Sequence, residues 1–170
     1  MYALAIAECT RAVKSIETYL DKAEIYAREK KFDVEILMGS RLAPDMTPFV
    51  YQVQSACDYL KAGAGWLSGQ KPPRHEDNER TIDEVRARIR KTVEFVESVT
   101  ADQYAKAGDQ RVRVSWSATP EMVLAGDYYL QQITIPNVYF HVMAAYVILR
   151  HNGVDIGKMD FLGEINWIKA

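Results

Sequence analysis

The chain has 170 residues, 48% hydrophobic and 26% charged, which is the composition of one soluble globular domain rather than a disordered or fibrous chain. Lys and Arg number 21 against 23 Asp and Glu, a formal charge of −2, so the basic excess expected of a dedicated nucleic-acid binder is missing. Two cysteines, Cys9 and Cys57, exclude a disulfide framework, and no Cys/His cluster has zinc-site spacing. The start, MYALAIAECTRAVK, lacks a basic stretch ahead of its apolar residues, which argues against secretion. The longest apolar run, Ile133 to Leu149, is interrupted by Thr134, Asn137 and His141 and reads as too short and polar for a membrane span. These features predict a single domain over residues 1–170, cytoplasmic, with no nucleic acid or membrane among its partners.

From Tyr2 to about Lys30, the residues Tyr2, Ile6, Cys9, Val13, Ile16, Leu20, Ala23 and Ala27 alternate steps of four and three. That spacing lays them along one stripe of a long amphipathic helix. Thr47-Pro48 then reads as an N-cap and a first-turn proline, opening a second helix to about Ser68 through Phe49, Val53, Ala56, Leu60 and Leu67. Gly63 and Gly65 weaken its last turns. Thr81-Ile-Asp-Glu84 has the form of a capping box, and Ile82, Val85, Ile89, Val93 and Val96 give the third helix its apolar stripe. Glu84 and Arg88 are read as an i, i+4 pair that supports this helix.

The alternation from Arg111 to Trp116, a turn over Ser117 to Pro120 and a return over Glu121 to Leu124 predict a small β-hairpin. Helical spacing resumes from about Gly126 to Asn152, with Leu130, Thr134, Asn137, His141, Ala144 and Ile148 in line and Gly153 at the C′ position. Pro136 lies inside this fourth helix and cannot donate to the carbonyl of Gln132, so a kink is expected there. The tail from Met159 to Ala170 is too apolar to float free. The expected fold is all-α: an up-and-down four-helix bundle with a hairpin before the last helix.

Chemistry-bearing residues are few. His75, in Pro-Pro-Arg-His-Glu-Asp-Asn, is expected to be solvated, and His151 to interact with the carbonyl end of the fourth helix. Cys9 and Cys57 fall on core-facing stripes, where thiols are inert. His141 points towards the core with Asn137 one turn before it, and two polar side chains on an inner apolar face call for partners.

His141 is followed by Val-Met-Ala-Ala-Tyr-Val-Ile-Leu-Arg-His-Asn and then by Gly153, 12 positions on. In this the chain resembles the DinB/YfiT-like four-helix-bundle superfamily. Arg41 to Met46, Gln52 to Asp58, Pro-Asn-Val-Tyr-Phe-His (136–141) and Leu-Arg-His-Asn-Gly (149–153) resemble its branch of uncharacterised function. The resemblance implies a metal triad of three histidines, dimers, and thiol-dependent transferase or metal-dependent hydrolase activity. It aligns His141 with the second histidine of the last helix and Asn137 with the first. The helix-two histidine, counted seven residues from Thr47, falls on Gln54.

Two of three ligands are thus amides, which hold zinc or nickel poorly. The expectation is a metal-free pocket in which Gln54, Asn137 and His141 satisfy one another or a small-molecule ligand, any metal being held by those same three residues. Val138, Val142, Ala145 and Leu149 form an adjacent apolar stripe, read as the face of a homodimer through the last helix. The resulting function is a small-molecule-binding or non-catalytic homodimer. The alternatives are a metal-dependent transferase or hydrolase acting on a thiol or similar molecule, and a structural or partner-binding bundle.

Overall fold

A computed structural model describes residues 1–114, 122–166 and 168. Four long helices dominate it: α1 (Tyr2–Lys30), α2 (Phe49–Leu67), α3 (Ile82–Glu97) and α4 (Gly126–His151). A two-stranded antiparallel hairpin, β1 (Arg111–Val114) and β2 (Met122–Ala125), precedes α4, and a short helix α5 (Lys158–Leu162) follows it. Arg111 pairs with Ala125 and Val114 with Met122. The predicted turn from Ser117 to Pro120, with Trp116, Glu121 and Trp167, lies outside the described residues.

Each helix forms for the reason its spacing gives. Seven of the eight stripe residues of α1 are buried, only Tyr2 reaching partly into water, and the predicted stripes of α2 and α3 are buried throughout. The capping box is present: Thr81 Oγ1 accepts from the Glu84 amide at 3.2 Å, and a Glu84 carboxylate oxygen accepts from the Thr81 amide at 3.1 Å. At α2 the expected cap is replaced. Pro48 is the N-cap, and the Thr47 oxygens accept from the side chain of Gln52 instead.

The glycines of α2 have a packing reason. A Cβ on Gly63 would overlap the Thr134 methyl and stand 2.9 Å from its hydroxyl, so α2 and α4 approach as closely as they do only over a hydrogen atom. Gly153 has φ +95°, and its amide donates to the Arg150 carbonyl, ending α4 as its C′ position requires.

Helix α4 is not regular. Residues Tyr129–Thr134 form a π-helical turn, after which Ile135–His151 returns to α-helix. The break expected at Pro136 therefore takes the form of a widened turn just upstream, where the ladder no longer needs a regular α-helical donor from the proline. The Asn137 amide donates to the Ile133 carbonyl at 2.7 Å, covering an acceptor at the break.

The inner face of α4 is centred differently from the sequence expectation. Val138, Val142, Ala145 and Leu149 are fully buried, packed inside the bundle rather than left as a dimer face. Asn137 and His141 sit one helical step to the side and are only partly buried. By length and composition alone α4 is apolar enough to cross a membrane, longer than the run counted from the sequence. Its packing against α2 and α1 is a second reason for the same apolar character. The tail is anchored on α1 by Lys22 Nζ to Asp160 Oδ2 at 2.7 Å, and Phe161 meets Tyr146 edge-on at 6.0 Å.

Candidate functional site

Gln52 occupies the first full turn of α2, almost completely buried, facing α4. Its amide nitrogen lies 3.0 Å from the Thr47 carbonyl oxygen and 2.7 Å from Thr47 Oγ1, both acceptors for its protons. Its Oε1 lies 2.8 Å from His141 Nδ1. The polar partner predicted for His141 exists, but it is Gln52 rather than Gln54.

Aromatic rings surround the imidazole. Tyr59 stacks on it with centroids 5.6 Å apart and planes 14° from parallel, and Phe140 and Tyr51 meet it edge-on at 5.1 and 6.5 Å. Burial among them pushes the His141 imidazole down to about 4, so it is neutral at pH 7. Tyr51 and Phe140 remain 45% and 59% exposed, which leaves this corner of the bundle open to solvent.

The three residues expected to converge are divided by their hydrogen bonds. Asn137 bonds the carbonyl of Ile133 on its own helix. Gln54 is two residues from Gln52, about 200° around the helix, and so faces away from His141. Its amide donates to Glu79 Oε2 at 2.8 Å. The count of seven from Thr47 arrived on the wrong face of α2, and the side chain that reaches α4 is two residues earlier.

Gln54 belongs instead to a charged cluster beneath the segment that joins α2 to α3. Arg88, 2% exposed, holds Asp58 at 2.6 Å, Asp77 at 2.9 Å and Glu79 at 3.0 Å, and donates to the Glu76 carbonyl at 2.9 Å. Lys61 pairs with Asp58. Arg88 is therefore not the partner of Glu84, whose carboxylate is engaged in the capping box. Burial works to raise the Glu79 carboxyl, but the hydrogen bonds from Gln54 and Arg88 outweigh it and hold the group below the usual carboxylate range. His75, expected in water, is half-buried here, its Nδ1 is enclosed without a partner, and burial followed by the Lys61 and Arg88 charges lowers its pKa.

Both cysteines are buried, as their stripes predict. Burial raises Cys9 to about 11 and Cys57 to about 12. Among the described residues no three His, Cys, Asp or Glu side chains come together as a metal-ligand set.

The sequence reading missed Gln52, Thr47 and Tyr59. Gln52 had a usable signal: it lies seven residues before Tyr59, two helical turns along the same face, and Gln is otherwise out of place on a buried stripe.

A crystal structure of a DinB family member protein from Shewanella denitrificans superposes on this fold with a TM-score of 0.90, at 37% sequence identity, covering 99% of this chain and 95% of that one. No curated protein matches the chain significantly. The family profile described as a domain of unknown function, DUF1993, matches residues 1–162. With its helical bundle, its hairpin and this near-complete structural likeness to a DinB family member, the chain belongs to the DUF1993 family.

Proposed function

We propose that this protein is a small-molecule-binding homodimer that keeps a polar site at the α2–α4 corner without a resident metal. The observation that carries the reading is the chain of contacts from Thr47 through Gln52 to His141. Each side chain implied as a metal ligand already has another partner: Asn137 bonds Ile133, Gln54 bonds Glu79, and one nitrogen of His141 faces Gln52. One imidazole nitrogen remains, whereas a catalytic zinc or nickel centre commonly takes three protein ligands and keeps a position for water. The donor set does not fit such an ion.

The homodimer rests on different residues from the stripe first read as its face. Phe140 and Met143, 59% and 42% exposed, stand on the outer side of α4 near the 45%-exposed Tyr51. Large apolar side chains left in water beside a helix otherwise buried are the surface a second copy would cover from the outer side of α4, with the His141 ring at the rim of that interface and its site still reached from solvent.

Elemental analysis of untagged protein tests the metal-free reading. Zinc and nickel well below one per chain are expected. Stoichiometric metal that is lost in His141→Ala would restore the metal-dependent transferase or hydrolase.

A further inference from the structure

We infer that Thr47 and Gln52 are positioning residues that lock His141 as its Nδ1–H tautomer, so that the open Nε2 acts as a hydrogen-bond acceptor and selects neutral ligands carrying a donor group. The ligand half of this rests on the small-molecule reading above. The tautomer half does not.

The Thr47 carbonyl can only accept. The Gln52 side-chain atom 3.0 Å from it must therefore be the NH2 end, because an amide oxygen there would set two acceptors against each other. The Thr47 hydroxyl, 2.7 Å from the same nitrogen, accepts its second proton. With the amide so oriented, the atom facing His141 is Oε1, again an acceptor. At 2.8 Å the contact is a hydrogen bond only if His141 Nδ1 carries the proton. A neutral imidazole has one proton, so Nε2 is left with its lone pair.

Nε2 has no hydrogen-bond partner among the described residues, and it lies beside Tyr51 and Phe140, 45% and 59% exposed, at the solvent-open corner of the bundle. Tyr59 stacked against the ring, with Phe140 and Tyr51 at its edges, fixes the plane in which that lone pair lies and supplies aromatic surface for a ligand's body. A hydroxyl, amide or indole N–H is matched by this arrangement. A ligand that only accepts, such as an ether or a carboxylate, meets a lone pair and is rejected, since an unmatched polar contact weakens binding rather than leaving it neutral.

Imidazole 15N spectra of the ligand-free protein near pH 7 test the tautomer directly. The expected pattern is a protonated Nδ1 and an unprotonated Nε2 for His141. A protonated Nε2 would overturn the assignment whatever the site binds. Gln52→Met, which removes all three amide contacts while keeping the volume, is expected to move the proton to Nε2. If that variant does not fold, the wild-type spectrum still decides the question.

Phenol and anisole then test the selection, because they share a ring and differ in the donor. Phenol is expected to shift the His141 Nε2 resonance saturably and to bind at least about tenfold more tightly than anisole, the worth of one matched hydrogen bond. In Gln52→Met that ratio falls towards one. Equal binding of the two probes in the wild type would overturn the donor selection. Failure of both to saturate, with the tautomer as expected, would overturn the ligand class and the small-molecule reading together while leaving the positioning role intact.

Discussion

Replacing Arg88 with Met removes the cation at the centre of the α2–α3 cluster and keeps most of the side-chain volume. Three carboxylates contact Arg88, but they are not equally placed. The side chains of Asp58 and Asp77 are 42% and 56% exposed, so water screens most of what they lose. Glu79 is 8% exposed and keeps its bond from Gln54 but no cation. Stranding one partner of a buried pair costs about 3–5 kcal/mol. Replacement of the guanidinium by an apolar chain offsets part of this, because Arg88 Nε is itself enclosed without a partner. A net loss of about 2–4 kcal/mol follows, which for a domain of this size lowers Tm by roughly 4–16 °C. Urea unfolding followed by circular dichroism measures it at pH 7. Adding Glu79→Gln removes the stranded charge and is expected to recover at least half of the loss. A loss below about 1 kcal/mol, or a double variant as weak as the single, would refute the assignment of Glu79 as the buried partner.

Three other outcomes follow from named contacts. Gly63→Ala sets a methyl into the side chain of Thr134 and is expected to cost about 1–3 kcal/mol, mostly recovered in Gly63→Ala with Thr134→Ala; thermal melts of the three variants check it. The His141 imidazole titrates near 4 when folded and near ~6.5 when unfolded, so stability is full above the unfolded value, falls as pH drops between the two, and levels off below about 4. The drop is worth about 3 kcal/mol at most and about 1–2 kcal/mol after allowing for the ring's contact with water; His141→Gln should remove it from a stability–pH profile. Light scattering at micromolar concentration is expected to give twice the 19.4 kDa chain mass, and Phe140→Glu to give the monomer; a monomeric wild type would sink the dimer.

The elements were legible in the sequence because each is set by a local rule. Stripe spacing, the Thr81–Glu84 capping box and Gly153 at the end of α4 need no partner to be recognised. The centre of the α4 inner face was not legible. In a helix apolar on most sides, both Asn137–His141–Ile148 and Val138–Val142–Leu149 satisfy a four-and-three spacing; Ile148 is as buried as the second set, and only packing against α1 and α2 leaves Asn137 and His141 at the edge. The line read from spacing is buried at Leu130, Thr134, Ala144 and Ile148, and only Asn137 and His141 fall at its edge, partly buried.

The same rotation explains what the site is. With Val138, Val142 and Leu149 facing the bundle axis, His141 is carried to the α2–α4 seam, where it meets a buried residue of α2 that faces α4. That residue is Gln52. Gln54, turned towards α3, is held by a salt-bridge cluster that single-sequence reading could not assemble, because Arg88, Asp58 and Glu79 come from three different segments and Arg88 had a nearer apparent partner in Glu84. A metal triad needs three side chains aimed at one point; here Asn137 and His141 share one side of α4, Asn137 is turned back to the Ile133 carbonyl, and the phase of α2 aims Gln54 elsewhere. Histidine at both 54 and 137 would therefore not rebuild the triad alone, since the imidazole at 54 would still face α3. Histidine at 52 would meet His141, at the cost of the Thr47 contacts that now orient it.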